Sequence, residues 1–145
     1  MQQIQLTKGK IALVDDDDYE WLSKINWYYH RYCMTHFRIN GKRRTILMHR
    51  AIMGCTCDEK VDHINRDTCD NRRENLRIAT TSQNAGNSVK HKDNKSGFKG
   101  LVYRCGRWQV YCKEKYLGTY STAEEAQEVY MAAAINNWGE FARCS

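Results

Sequence analysis

The segments VDHIN at residues 61–65 and DNRRENLRIATTSQNAGN at residues 70–87 decide how the chain is read. Each holds one short apolar run, 61–64 and 76–79, of strand length and flanked by polar turn formers. Thr80 or Thr81 is suited to cap a helix that begins at Ser82. Two strands and a helix are therefore predicted in quick succession. Hydrolysis of a phosphodiester needs a base to activate water, a hard cation to neutralise charge on the phosphate, and fixed geometry. Asp62 next to His63 offers a base and an oxygen ligand from one strand, and Asn84 offers a neutral oxygen from the helix. Oxygen-only, under-saturated coordination of this kind suits Mg²⁺ or Mn²⁺, with water and substrate completing the shell. Taken singly, an Asp-His pair is commonplace on a strand surface, and Asn75-Leu76 reads as a turn. The four polar positions acquire meaning through their joint register within the apolar frame.

That register resembles the ββα-metal, HNH-type homing endonucleases of phages and mobile introns. Asn75 stands twelve residues after His63 and Asn84 nine further on, as in the variant of the family that ends in Asn rather than His. The resemblance implies His63 as general base, Asp62 and Asn84 as metal ligands, and Asn75 as the residue that orients His63 or holds the hairpin. It also implies a metal-dependent DNA endonuclease with Mg (or Mn) as cofactor and double-stranded DNA as partner. One site per chain leaves open a nicking monomer and a homodimer that cuts both strands. The competing function is a non-cleaving DNA-binding regulator with a vestigial site; the intact quartet favours cleavage. Asn71, Arg72, Arg73 and Arg77, with Arg50 upstream, are expected to reach phosphates, a solvated basic turn being the plainer alternative. His49, within a Met-His-Arg segment similar to one upstream of the family's site, is either functional or a packing residue. Asn87 reads as helix surface.

Toward the N-terminus, Asn40-Gly41 between two β-forming runs is a two-residue hairpin signal. Residues 17–22 read as the acidic first turn of a short helix, and residues 48–53 as a helical turn stopped by Gly54. Leu6 to Lys10, with Val14-Asp15 and Asp18-Tyr19, is similar to the N-terminal part of the same family. Toward the C-terminus, KHKDNKSG at 90–97 is the most linker-like stretch. Beyond it, 100–103, 108–113 and 116–120 read as three strands, and Ser121-Thr122 followed by Glu124-Glu125 as a capping-box start of a helix to about residue 137. SGFKGL at 96–101, RWQV at 107–110 and YLGTYSTAEEA at 116–126 resemble the DNA-binding domain of plant ethylene-response factors. That resemblance implies a sheet laid in the major groove, with Lys99, Tyr103, Arg104, Arg107, Trp108, Gln109, Tyr111 and Lys113 toward DNA. The expected fold class is α+β: a β-rich unit at 1–54, a ββα-metal motif at 55–90, a linker at 91–96, and a three-stranded antiparallel sheet packed on one helix at 97–145.

Bulk properties narrow the function. The chain of 145 residues carries a net charge of +6, which favours a polyanionic partner. No run approaches the roughly 18 apolar residues that span a bilayer, so no membrane association is expected. The first residues lack a signal-like pattern, so a cytoplasmic protein, encoded by a phage or mobile element and acting in the host cell, is expected. The seven cysteines are irregularly spaced. Cys55, Cys57 and Cys69 form the only plausible zinc cluster, and reduced, partly buried thiols are the preferred reading.

Overall fold

The computed structural model describes residues 1–56, 58–88, 90 and 92–143. The chain is mixed α and β, built from small antiparallel sheets and helices, and it divides into two compact units, Met1–Thr80 and Thr81–Ser145.

In the first unit, β1 (Gln2–Gln5) and β2 (Ile11–Val14) form an antiparallel pair. Alternate residues Ala12 and Val14 of β2 are fully buried, as expected for a strand with one face on a core. Helix α1 (Asp16–Leu22) opens with Asp16, Asp17 and Asp18, carboxylates placed at the positive end of the helix dipole. A three-stranded sheet follows in the order β3 (Tyr28–His30), β4 (Tyr32–Ile39), β5 (Lys42–Leu47). The turn between β4 and β5 is Asn40-Gly41 with φ of +50° and +73°, the left-handed pair that suits the twist of a hairpin. β5 runs straight into α2 (Met48–Met53), which Gly54 ends at φ +62°. β6 (Lys60–His63) and β7 (Leu76–Ala79) form the last pair, with Asp62 opposite Arg77 and His63 opposite Leu76. The core of the unit gathers Ile4, Leu6, Ala12, Val14, Leu22, Trp27, Cys33, Met48, Ile52 and Leu76. The loop between β6 and β7 is tied to β2: Leu13 N–H donates to the Cys69 carbonyl at 2.8 Å, and Asn71 N–H to the Leu13 carbonyl at 2.8 Å.

The second unit begins with α3 (Thr81–Asn87). Its sheet has the order β10 (Lys115–Tyr120), β9 (Arg107–Cys112), β8 (Leu101–Arg104), and α4 (Ala123–Trp138) packs on it. Thr122 and Glu125 form a reciprocal capping box at the start of α4. Ala126, Tyr130, Ala134 and Trp138 are the buried residues of this helix, one per turn. Tyr130 lies against the backbone of Gly100, where φ is +73° and a Cβ would sit 2.3 Å from the tyrosine ring, so that position admits only glycine. Trp138, read from sequence as part of the helix stop, is a helical core residue. It covers Gly86 of α3 and donates from Nε1 to Ser82 Oγ at 3.2 Å. The α3 segment, which the sequence reading groups with the 55–90 motif, thus packs on α4 within the second unit.

Candidate active site

Asp62 and His63 are consecutive residues of β6 that alternate to its two faces, and both are buried, 6% and 5% exposed. The Asp62 carboxylate takes two bonds at Oδ2 from Arg77 on the facing strand, Nη2 at 3.0 Å and Nε at 3.1 Å. This pair follows directly from the register of β6 on β7.

Asn75 holds the loop that follows β6. Its Oδ1 accepts from Asn65 N–H at 2.9 Å, and its Nδ2 donates to Asn65 Oδ1 at 3.0 Å and to the Asp70 carbonyl at 2.8 Å. Of the two roles that sequence reading leaves open for Asn75, the contacts are those of holding the hairpin. Orientation of His63 falls to Asn71, whose side chain is fully buried rather than set to reach phosphate. Asn71 Nδ2 faces the carbonyl oxygens of Cys69 and Thr68 at 3.2 and 3.5 Å and the Cys33 sulfur at 3.4 Å. Carbonyls only accept, so the amide NH₂ points at them and Oδ1 points at His63 Nε2, 3.3 Å away. Nε2 must then carry the hydrogen, which makes Nδ1 the basic nitrogen. Burial pushes the His63 pKa below its ordinary 6.5, and the Asn71 bond and nearby carboxylates of Asp62, Asp67 and Asp70 partly oppose it. The ring is therefore neutral near pH 7.

His63 lies edge-on to His49, with ring centroids 4.8 Å apart, and Tyr32 lies against both imidazoles. Burial drives His49 down to about 3, with the neighbouring His63 and Arg50 adding to the shift. Its Nδ1 is a buried polar atom with no hydrogen-bond partner among the described residues.

The arginines expected to reach phosphates have intramolecular partners. Arg72 binds Asp70 and Glu74, and Arg73 binds Asp18 at 2.8 Å while its N–H donates to Asp15 at 2.8 Å. Arg50 donates to the carbonyls of Glu59 and Thr56. The acidic start of α1, for which the sequence suggests no chemistry, thus clamps the turn before β7. Cys55 and Cys69 are free thiols, and Cys57 lies outside the described residues.

Asn84 lies exposed on α3, whereas Asn87, expected at the surface, is 2% exposed. In the second unit's sheet, Leu101, Val110 and Cys112 are buried beneath α4, and Trp108 shares their side by alternation, its ring against Phe98 and Tyr103. Arg104, Arg107, Gln109 and Tyr111 alternate to the open side. Lys99, expected on the DNA face, instead donates to the carbonyls of Ala85, Gly86 and Ser88 at the end of α3. Lys113 holds its ammonium 5.4 Å from the Trp138 ring centroid.

In the first unit, the buried Asp62 carboxylate is a donor of the hard kind that divalent cations favour, with Arg77 as its electrostatic competitor. Among the described residues, no group of three or more His, Cys, Asp or Glu side chains is placed to hold a metal ion.

A strand pair that carries a buried, orientated imidazole beside a carboxylate has the make-up of a hydrolytic site. Residues 56–86 match the family described as HNH endonuclease, a signal that suggests a nuclease. The chain is also similar to an uncharacterized HNH endonuclease of Acanthamoeba polyphaga mimivirus, 27% identical over 148 residues that cover 93% of this chain and 74% of the viral protein. No solved structure matches. Among the described residues, no helix is long and apolar enough to cross a membrane.

The contacts of Asn71 lead to an expected result. Asn71→Leu should lower the maximal cleavage rate by about 10–100-fold, the usual effect of losing a partner that orients a functional imidazole. Its bond raises the His63 pKa, so its loss should also move the acid limb of the pH–rate profile to lower pH. A profile that keeps its position would mean that Asn71 acts on stability alone.

Proposed function

We propose that this protein is a metal-dependent DNA endonuclease of the homing type, with His63 as its general base. The observation that carries the reading is the Asn71 clamp, which sets the buried, neutral His63 ring with Nδ1 as its basic nitrogen. His63 takes a proton from water as the water oxygen bonds to phosphorus and the bond to the leaving sugar oxygen breaks; that oxygen regains a proton from solvent. Asp62 would offer an oxygen ligand to Mg²⁺ or Mn²⁺, which supplies charge neutralisation at the phosphate when bound. Asn75 keeps the loop closed behind His63, and Arg77 holds Asp62 in place. Double-stranded DNA is the substrate, gripped in part by the open face of the second unit's sheet, where Arg104 and Arg107 stand directly opposite one another across the strands. One site per chain suits nicking by a monomer or double-strand cleavage by a homodimer.

Supercoiled plasmid incubated with protein and Mg²⁺ should yield relaxed or linear product, and chelator should abolish it. Product that forms equally in chelator removes the metal from the scheme, and no product under any divalent cation removes the nuclease reading.

A further inference from the structure

The positive charge of this chain is concentrated in one segment. Residues 21–57 hold seven lysines and arginines and no aspartate or glutamate, so the rest of the chain carries sixteen basic against seventeen acidic groups. Four of the seven, Arg38, Lys42, Arg43 and Arg44, crowd the β4–β5 hairpin on both sides of the Asn40-Gly41 turn. All four are exposed, and among the described residues none forms an ion pair with an acidic side chain. Arg50, Arg72, Arg73 and Arg77 of the same unit, by contrast, all bond within the fold.

The hairpin register sharpens the point. Arg38 stands directly opposite Arg43, and like charges so placed destabilise an antiparallel pair. An anion between them would remove the repulsion. By alternation, Arg38 and Arg43 project from one face of the ribbon, while Lys42 and Arg44 project from the other beside Phe37 and Ile39. A flat anionic surface meets only one face at a time. The major groove of duplex DNA admits a two-stranded ribbon and places a phosphate wall on either side of it.

We infer that the β4–β5 hairpin is a DNA-backbone arm, a two-faced basic ribbon that enters the major groove and contacts phosphates on both walls. The inference rests on the nuclease reading and adds where the first unit grips its substrate. The arm is continuous with the site: β5 passes without a loop into α2, whose His49 ring touches that of His63. Apolar Phe37 and Ile39, 41% and 54% exposed, lie where thymine methyl groups line the groove.

The test is fluorescence anisotropy of full-length protein on a labelled duplex across a salt series, with chelator present to prevent cleavage. Replacing Arg38, Lys42, Arg43 and Arg44 together by Gln should reduce the log–log salt slope by about 3–4, on the order of 0.9 per phosphate contact, and weaken binding by about 100-fold in moderate salt. Arg43→Glu serves as the folding control, because it turns the Arg38 repulsion into an attraction. It should raise the melting temperature while weakening DNA binding. Binding with an unchanged slope in both variants overturns the arm and leaves the nuclease reading standing. A parent protein that binds no duplex at low salt overturns both, as does hairpin-dependent binding to anionic vesicles without binding to DNA.

Discussion

His63→Ala abolishes strand cleavage while leaving DNA binding in place. The loss should be about 10²–10⁴-fold in the single-turnover rate, the usual contribution of a positioned general base. The size follows from the site: the ring is buried, neutral near pH 7, and fixed by Asn71 in one tautomer. His49 does not replace it, because burial holds that imidazole at about 3, far too weak a base. Removal of the ring also leaves a gap against His49 and Tyr32, so His63→Gln, which refills most of the space, separates lost packing from lost chemistry. The wild-type rate should be flat near neutrality and fall only below pH 6.5, as His63 takes a proton. Either variant cutting at close to the parental rate would remove His63 from the mechanism.

Local signals carried much of this fold. Strand β7 matches the expected 76–79, β6 lies one residue from the expected 61–64, and the Asn40-Gly41 turn and the Thr122 capping box form as written. These features depend on near neighbours in the chain. Features set by contacts between distant segments were not legible. The Asp62–Arg77 pair exists because twelve residues loop out between β6 and β7 in one register, which no residue type announces. Asn71 looks like any turn asparagine until β2 bonds to its backbone and buries its side chain beside His63. Arg73 reads as a phosphate ligand until α1 presents Asp18 to it. In the second unit, Lys99 sits in a stretch that reads as a basic strand edge, yet the end of α3 supplies three carbonyls to its ammonium. Arg50, Arg72, Arg73 and Arg77 thus turned out to be structural ties, while Arg38, Lys42, Arg43 and Arg44, with no ion pair among the described residues, stand on a hairpin chosen from sequence only for its turn.

Acid should unfold the first unit before the second, and His49 should be the main cause. His49 and His63 are both buried with pKa values below the ordinary 6.5, His49 at about 3. In the unfolded chain each takes up a proton near 6.5, while in the folded unit each remains neutral, so the unfolded state binds more protons. Stability is then fully present above pH 6.5 and declines as pH falls from 6.5 toward the folded values. For His49 the slope is about 1.4 kcal/mol per pH unit, or about 2 kcal/mol by pH 5. His63 adds to it with the same sign. Asp70, held below the usual carboxylate range chiefly by its bond from Arg72, extends the loss to still lower pH. A deficit of this size is a large share of the 5–15 kcal/mol that keeps a typical domain folded. His49→Leu removes both the titration and a buried nitrogen without a partner among the described residues, and replacing such a group by an apolar one of similar size is neutral or stabilising. Hydrogen exchange at residues 60–79, followed from pH 8 to pH 5, isolates this unit from the C-terminal one. Protection in the parent should drop steeply below pH 6.5, and in His49→Leu it should drop less, by about one proton's worth of slope. Equal slopes in the two proteins would mean that the His49 ring is protonated or solvated in the fold, and that its burial beside His63 does not govern the unit's acid lability.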